Sequence, residues 1–306
     1  MKITFVGPGE ISIPPSGWGA LETVVWNQYI NLQKLGHTVT IINEKDTNVT
    51  YQKVLETQPD IVHLHYGKHW QIMPYLNCRK IVTSHDGGFL YSQAFHKNLI
   101  KSFFKDCEFF ILTSWERQLL LDSGIDDSNI KILPNGVDNG QFKITDQPQF
   151  IDKSICLGKI DQRKRQAFLQ SLDCNISFAG QNTIPEFNPL DNNYLGLWDR
   201  NMVFNQLTDY NNLILLSVSE LHPLVCLEAL AAGLGLVVSE VASQNLDLSQ
   251  PFISMIPQDQ INDSEIVKTT IIKNRELCSN TPRNIIKEYA KTFDWTEILK
   301  KYESYL

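Results

Sequence analysis

The order of apolar segments is the feature that most constrains how this chain can fold. Short runs rich in Val, Ile and Phe alternate with stretches whose apolar residues recur at helical spacing, which predicts alternating strands and helices. Such alternation is typical of parallel strands covered by helices on both faces, a doubly wound α/β fold. The strands predicted in the first half are Lys2–Val6, Val39–Ile42, Ile61–His65, Lys80–Thr83, Phe109–Thr113 and Lys131–Leu133.

The segment Val137–Phe150 interrupts this pattern, because it is polar and aperiodic, and we interpret it as a linker. A second series of strands is predicted at Ser154–Leu157, Asn175–Phe178, Leu213–Ser217, Gly235–Ser239 and Phe252–Ile256. The 306 residues are enough for two domains with separate cores. We therefore expect one domain over residues 1–142, a second over 149–282, and terminal helices over 283–306 that cross back to the first domain.

Composition excludes several classes of protein. A net charge of −7 argues against a nucleic-acid partner, which would require a basic face. No apolar run approaches the ~20 residues that span a bilayer, and the apolar run at the N-terminus is too short for a signal peptide. The six cysteines form no C-x-x-C pair, which is typical of a reducing compartment. We expect a cytoplasmic protein; peripheral membrane contact and a homodimer are left open.

The strongest motif lies at Ser217–Gly233, where a predicted buried strand is followed by a predicted helix. Pro223 suits the first helical position, because its missing N–H would have no partner there. The first free amides, near Leu224 and Val225, would form a site for an anion.

Two carboxylates flank this anion site: Glu220 in the loop before the helix and Glu228 within it. A carboxylate that touched a phosphate would repel it. Both make sense instead as acceptors for hydroxyl groups on either side of a diphosphate, one on a sugar and one on a ribose. The alternative is a capped helix with two solvated glutamates.

A basic loop follows the first strand of the second half, with Lys159 and Lys164 after Leu157. A cationic cluster directly after a buried strand suits phosphate binding. The alternative is a solvated charged turn, more so for Arg163 and Arg165 than for Lys164.

The Glu-x7-Glu spacing of Glu220 and Glu228 resembles the donor-site motif of retaining GT-B glycosyltransferases, especially family 4. The resemblance covers nearly the whole chain and implies two Rossmann-like domains that face each other across a cleft. It implies that Glu220 faces the transferred sugar and that Glu228 bonds the ribose hydroxyls. Weaker fragments follow in the family's order: Pro14–Glu22, Pro59–His65, Thr83–Asp86, Leu112–Glu116, Ile132–Asp138 and Phe293–Trp295.

The same resemblance assigns the diphosphate contacts, with two departures. Lys164 matches a family lysine, and Lys159 stands where the family has arginine, which replaces a two-pronged fork by a point charge. Gly19 and Ala20 stand where a Gly-Gly pair opens the first helix beside the diphosphate. The methyl group of Ala20 would crowd a phosphate that glycine admits.

Two further contacts are implied by the resemblance: His85 against the donor sugar, and Trp198 beside the nucleotide base, largely through its backbone. From the residues alone, a lone histidine after a strand is more often structural and a tryptophan more often core. His63 and His65 alternate on one strand and therefore share a face. The sequence has no Asp-x-Asp pair after a strand that could hold a metal against the diphosphate. It also has no G-x-G-x-x-G motif, and the absence of this motif disfavours a nicotinamide dehydrogenase.

The resemblance therefore implies metal-independent, retaining transfer of a hexose, either mannose or glucose, to a hydroxyl of a glycan, lipid or small molecule. The expected donor is GDP-mannose or UDP-glucose, and no cofactor is expected. The alternative is a catalytically inactive sugar-nucleotide or glycan-binding protein on the same fold, which the departures at Ala20 and Lys159 favour. An epimerase or a phosphorylase with this fold ranks last, since a phosphorylase needs a pyridoxal lysine and a longer chain.

Overall fold

The computed structural model describes residues 1–85 and 102–306. Asp86, part of one family-like fragment, lies outside the described residues. The chain forms two compact units, Met1–Asn135 together with Trp295–Leu306, and Gly136–Asp294.

Eleven strands are found in the described residues. In chain order they are β1 Lys2–Val6, β2 Thr38–Ile42, β3 Ile61–Leu64, β4 Arg79–Val82, β5 Glu108–Ile111, β6 Ile130–Ile132, β7 Phe150–Leu157, β8 Ile176–Ala179, β9 Tyr210–Leu215, β10 Gly235–Ser239 and β11 Ile253–Ile256. The helices that the structure describes in full are α1 Ala20–Lys34, α2 Thr47–Thr57, α3 Trp115–Asp122, α4 Gln166–Gln170, α5 Arg200–Gln206, α6 Leu224–Ala231, α7 Ser264–Ser279, α8 Arg283–Ala290 and α9 Trp295–Tyr305.

The first unit contains a parallel sheet in the order β2-β1-β3-β4-β5-β6. Its strand β1, next to the edge strand β2, pairs with both neighbours, so that Ile3 lies opposite Val39 on β2 and Ile61 on β3. Apart from Lys2, every residue of β1 is buried. A strand covered on both faces requires such a continuous apolar run.

The second unit contains a parallel sheet in the order β11-β10-β9-β7-β8. Strand order reverses between β7 and β9 in this sheet, and between β1 and β3 in the first. Ligands of open α/β sheets bind beyond the carboxyl ends of the strands at such a reversal. The loops after β7 and β9, and those after β1 and β3, are therefore where a site is expected.

The expected grouping of residues 283–306 is wrong in part. Only Trp295–Leu306, which includes α9, belongs to the first unit, while α8 belongs to the second. The reason is packing: Ile286 and Ala290 of α8 are fully buried in the core of the second unit, and α8 lies against α6. The expected end of the first domain at residue 142 is also wrong, because the second unit begins at Gly136 and includes the expected linker Val137–Phe150.

Helix α9 is fixed to the first sheet by buried hydrogen bonds. The hydroxyl of Tyr302, fully buried, lies 3.0 Å from Nδ1 of His63 on β3. The Arg79 guanidinium donates to the carbonyls of Tyr305 and Leu306 and pairs with Glu108 at 2.6 Å. Among the residues that the structure describes, no helix has the length and apolar character needed to cross a membrane.

Candidate functional site

The loop after β7 is packed unusually tightly against the loop after β8. Gly158 and Gly180 have φ of +133° and +146°, which L side chains rarely adopt. A Cβ at Gly180 would lie 1.9 Å from the carbonyl oxygen of Gly158. A Cβ at Gly158 would lie 2.9 Å from Nζ of Lys164, so the lysine folds back over this glycine. Glycine at both positions lets the basic loop adopt this shape.

The charge of Lys164 acts on the first turn of α6. Burial raises the pKa of the Cys226 thiol in the first turn of α6, and the charge of Lys164 opposes that rise. Burial also raises the pKa of the Cys156 thiol on β7, and the charge of Lys164 again opposes that rise. Within the described ranges Lys164 has no carboxylate partner at salt-bridge distance, and its backbone amide donates to Asp161 at 2.8 Å. Its charge is therefore available to an anion.

Helix α6 begins at Leu224, one residue later than expected from the sequence. Pro223 is the residue before the helix, with extended ψ of 119°, and its carbonyl accepts from the amide of Cys226 at 3.1 Å. The amides of Leu224 and Val225 have no acceptor among the residues described here. Two donors at a helix N-terminus, next to a lysine, form a site for an anionic group.

Glu220 is held by an arginine from the basic loop. Its Oε1 accepts from Arg163 Nη1 at 2.7 Å and from the Ser217 hydroxyl at 2.9 Å. Arg163 also donates to the carbonyl of Ser219 at 2.5 Å, and its own carbonyl accepts from the amide of Val218 at 3.0 Å. The loops after β7 and β9 are thereby tied together. The sequence analysis left a solvated turn open for Arg163 and did not predict this pairing.

Glu228 is held by a second arginine, which the sequence analysis did not single out. Its Oε1 accepts from Arg200 Nη1 at 2.6 Å, and its side chain is only 10% exposed. Arg200 is the first residue of α5, whose N-cap Asp199 accepts from the amide of Met202. The guanidinium also lies over the ring of Phe204, 4.5 Å from its centroid. The arginine is thus fixed by its helix and by an aromatic face.

The remaining two second-unit candidates differ in exposure. Lys159 is exposed, and its carbonyl accepts from Gln166 at 2.9 Å. Trp198 is 4% exposed and packs in the core, 6.3 Å from the ring of Tyr210. Its indole is therefore unavailable to stack on a base, which leaves only its backbone for such a contact.

In the first unit, Gly19 and Ala20 form the start of α1. A Cβ at Gly19 would lie 2.8 Å from Oε2 of Glu22 and 3.0 Å from Cβ of Pro15, so a side chain there would require movement. Ala20 is the first helical residue and is exposed. Burial raises the pKa of Glu22 in the same turn. The methyl group of Ala20 is therefore accommodated without strain, whereas a side chain at position 19 would not be.

Three histidines stack along one face of the first sheet. The ring centroids of His63 and His65 are 4.0 Å apart, which confirms that these two residues share a face. His85, after β4, lies 5.5 Å from His65, and its Nε2 is 3.2 Å from His65 Nδ1. Burial lowers the pKa of all three imidazoles, to about 4 for His85. The stack is therefore neutral at neutral pH.

Hydrogen-bond partners fix the tautomer of His63. The Thr83 hydroxyl donates to the carbonyl of Phe110 at 2.8 Å, so its oxygen accepts from Nε2–H of His63. Nδ1 of His63 then accepts from the hydroxyl of Tyr302. Both nitrogens of His63 are thus used inside the fold, which makes it a structural residue.

The tautomer of His85 follows from that of His65. Nε2 of His65 is buried without a partner in the described part of the chain. An unpaired acceptor is more readily tolerated than an unpaired N–H, which favours a proton on Nδ1 of His65. That N–H donates to Nε2 of His85, so the proton of neutral His85 is on Nδ1. Nδ1–H is then the hydrogen-bond donor of the His85 ring.

The histidine stack predicts that acid destabilises the first unit. Unfolded histidine titrates near pH ~6.5, whereas the pKa values of His63, His65 and His85 are all lowered in the fold. The stabilisation that these neutral imidazoles provide is fully present above pH ~6.5. The free energy of unfolding should therefore fall as the pH drops toward about 4, because the unfolded chain takes up protons at a higher pH than the folded chain. Each buried neutral histidine contributes up to ~1.4 kcal/mol per pH unit.

Urea midpoints measured between about pH 7 and 5 test this prediction. The variant His65→Phe, which keeps a stacked ring but cannot titrate, should show a shallower dependence on pH. A wild-type midpoint that is constant over this range would contradict it.

Comparisons with known proteins match both the sequence and the fold. Residues 48–141 match the family model described as Glycosyltransferase Family 4. No curated protein matches the chain significantly. Among solved structures, AviGT4, a glycosyltransferase involved in avilamycin A biosynthesis, aligns with a TM-score of 0.70 at 16% identity, over 99% of this chain and 96% of that chain.

Two further structures align over their whole length. Anabaena Alr3699/HepE in complex with UDP-glucose has a TM-score of 0.71 at 15% identity, over 99% of both chains. WaaG, a glycosyltransferase involved in lipopolysaccharide biosynthesis, has a TM-score of 0.71 at 15% identity, over 99% of this chain and 98% of that chain. The chain therefore has the two-unit, parallel-sheet α/β fold of these GT-B glycosyltransferases, and its residues 48–141 are similar to glycosyltransferase family 4.

Proposed function

We propose that this chain is a retaining glycosyltransferase that moves a hexose from a nucleoside diphosphate sugar to a hydroxyl of a glycan, lipid or small-molecule acceptor. One observation carries the proposal. Lys164 lies over Gly158 in the loop after β7, and the amides of Leu224 and Val225, which have no acceptor in the described part of the chain, open α6 after β9. The strand order of the second sheet reverses between these two strands. A cation and two helix amides together suit a diphosphate.

In this proposal the second unit binds the donor. Lys164, with Lys159 from the same loop, would stabilise the diphosphate. Glu220 would accept from hydroxyls of the transferred sugar, and Glu228 from those of the ribose. The backbone at Trp198 would contact the base, since its indole is part of the core.

In the first unit, the resemblance implies that the amides of Gly19 and Ala20 would contact the diphosphate. It implies that His85 would contact the sugar. The hydrogen-bond donor role that we derive for His85 suits an oxygen of the sugar. Its low pKa keeps it neutral, so it would not add a charge of its own.

The reaction needs charge stabilisation more than a nucleophile from the protein. As the bond between the anomeric carbon and the bridging oxygen breaks, negative charge grows on that oxygen, and a fixed cation stabilises this growth. The acceptor hydroxyl would attack from the face that the diphosphate leaves, which retains the anomeric configuration. The hydroxyl proton would pass to a phosphate oxygen of the leaving group.

The donor proposed is GDP-mannose or UDP-glucose. The HepE structure holds UDP-glucose, so this donor is the first to test. A calorimetric screen of GDP-, UDP- and ADP-sugars would identify the base. Binding without hydrolysis or transfer of any bound donor would favour the alternative of an inactive sugar-nucleotide-binding protein, and binding of none would contradict both.

Transfer is expected to need no divalent metal. Within the described ranges, no group of three or more His, Cys, Asp or Glu side chains is arranged to hold an ion. We expect product formation, followed by chromatography, to continue at an undiminished rate with excess chelator, because lysine and helix amides would take the metal's role. Complete loss of activity that added Mn²⁺ restores would contradict this prediction.

A further inference from the structure

Both candidate carboxylates of the second unit are paired with an arginine from a different segment. Arg163 pairs with Glu220 at 2.7 Å, and Arg200 pairs with Glu228 at 2.6 Å. We propose that these arginines are positioning residues, which neutralise the two carboxylates so that a diphosphate can bind beside them. Lys164, which has no carboxylate at salt-bridge distance within the described ranges, then keeps its charge for the anion. This inference rests on the proposed function, since it assumes that a nucleoside diphosphate binds here.

The charges of both carboxylates and of Lys164 act on one buried thiol, that of Cys226. Both Glu220 and Glu228 raise the pKa of Cys226, in addition to its burial, while Lys164 lowers it. All three charges therefore act on the first turn of α6. Without the arginines, two carboxylates would oppose one lysine where the anion is expected. With them, each pair is neutral and the local balance is positive.

The pairing leaves each carboxylate able to bind a ligand. The contacts from the protein fall on one oxygen in each case: Oε1 of Glu220 has Arg163 and Ser217, and Oε1 of Glu228 has Arg200. Among the described residues, neither Oε2 has a hydrogen-bond partner. An ionised carboxylate accepts on both oxygens, so each keeps one for a hydroxyl group.

The arginines are themselves fixed in ways that suit a supporting role better than direct phosphate binding. Arg163 divides its donors between Glu220 and the carbonyl of Ser219. Arg200 lies against the face of Phe204 while it holds Glu228. Each guanidinium uses only Nη1 in its ion pair, so direct phosphate contact through the other N–H groups is the competing outcome that the experiment must separate.

Calorimetry can separate charge compensation from direct phosphate contact. Titrations with UDP, GDP and the matching nucleosides would compare wild type with Arg200→Gln, Glu228→Gln and the double variant. We expect Arg200→Gln to weaken binding of the diphosphate by roughly tenfold or more, with a smaller effect on the nucleoside. The double variant should bind the diphosphate more tightly than Arg200→Gln alone, because the uncompensated carboxylate is gone. Arg163→Gln and Arg163→Gln/Glu220→Gln should repeat this pattern.

Two controls keep the result interpretable. Arg200→Lys keeps the charge and should keep most of the affinity. Arg117→Gln removes an arginine paired with Asp127 on an exposed part of the first unit and should change nothing. Melting temperatures of all variants separate lost binding from lost folding.

The inference is overturned if the double variant binds the diphosphate no better than Arg200→Gln, which would indicate direct contact between arginine and phosphate. It is also overturned if Arg200→Gln weakens nucleoside and diphosphate equally, which would indicate a purely structural role. If folded wild-type protein binds neither UDP nor GDP, the proposed function itself fails, a result distinct from both.

Discussion

Gly180→Ala is expected to destabilise the second unit by ~2–6 kcal/mol. The native φ of +146° strains any residue with a side chain, at a cost of ~1–3 kcal/mol. The new methyl group would also lie 1.9 Å from the carbonyl oxygen of Gly158 and 2.6 Å from its carbon, and overpacking of this kind costs another ~1–3 kcal/mol. Urea denaturation would measure the loss.

Gly196→Ala is a matched control within the same unit. Gly196 also has a left-handed φ, +72°, but an added Cβ would meet nothing within 4 Å. This variant isolates backbone strain from steric overlap and should cost only ~1–2 kcal/mol. If Gly180→Ala costs no more than Gly196→Ala, the loops after β7 and β8 are not packed as described.

Gly180→Ala should also weaken ligand binding at the proposed site. The clash can be relieved only by separating the main chain at position 180 from that of Gly158, since the atoms that meet the methyl group are main-chain atoms. Lys164 lies over Gly158 and would move with it. Folded Gly180→Ala protein should therefore bind nucleoside diphosphates more weakly than Gly196→Ala, although position 180 is not proposed to contact the ligand.

Much of the fold was predictable because buried parallel strands leave a strong signal. The observed bounds of β1 and β10 are the predicted ones, Lys2–Val6 and Gly235–Ser239. The start of β7 was missed, because its first residues are exposed or half-buried and include Asp152 and Lys153. Helix α8 was placed with the wrong unit, since its apolar stripe shows that one face is buried but not what it packs against.

The candidate site residues could be named from the sequence, but their pairings could not. The sequence indicated Lys164 and Glu220 because each lies in a loop after a buried strand, and Glu228 because it lies within the helix that follows. It gave no indication that Glu220 pairs with a residue 57 positions away, or Glu228 with one 28 positions away. Those contacts depend on which strands are neighbours, and strand order is a property of the folded sheet.

Lys164→Ala is expected to lower turnover by on the order of 10²–10³, with a smaller effect on donor affinity. The diphosphate is already charged in the bound donor, so part of the lysine's attraction is uniform binding, equal in the ground state and the transition state. Charge on the bridging oxygen grows only as the glycosidic bond breaks, and only that increment affects the barrier. By analogy with oxyanion-hole donors, its loss would cost ~2.7–4 kcal/mol. Steady-state kcat and calorimetric Kd, measured on the same preparations, would separate the two effects.

Two further variants decide whether the basic loop acts on the donor. Lys153→Ala removes a half-buried lysine from the same strand-and-loop segment, 5.5 Å from the ring of Phe150, and should leave kcat unchanged. Lys159→Arg would restore the two-pronged cation that family 4 shows at this position. It should preserve or raise kcat if residue 159 contacts the diphosphate, because a guanidinium can bind phosphate oxygens in pairs. Full turnover in Lys164→Ala, or loss of activity in folded Lys159→Arg, would mean that this cluster is only a solvated turn, since neither result is compatible with a cation that stabilises the leaving group.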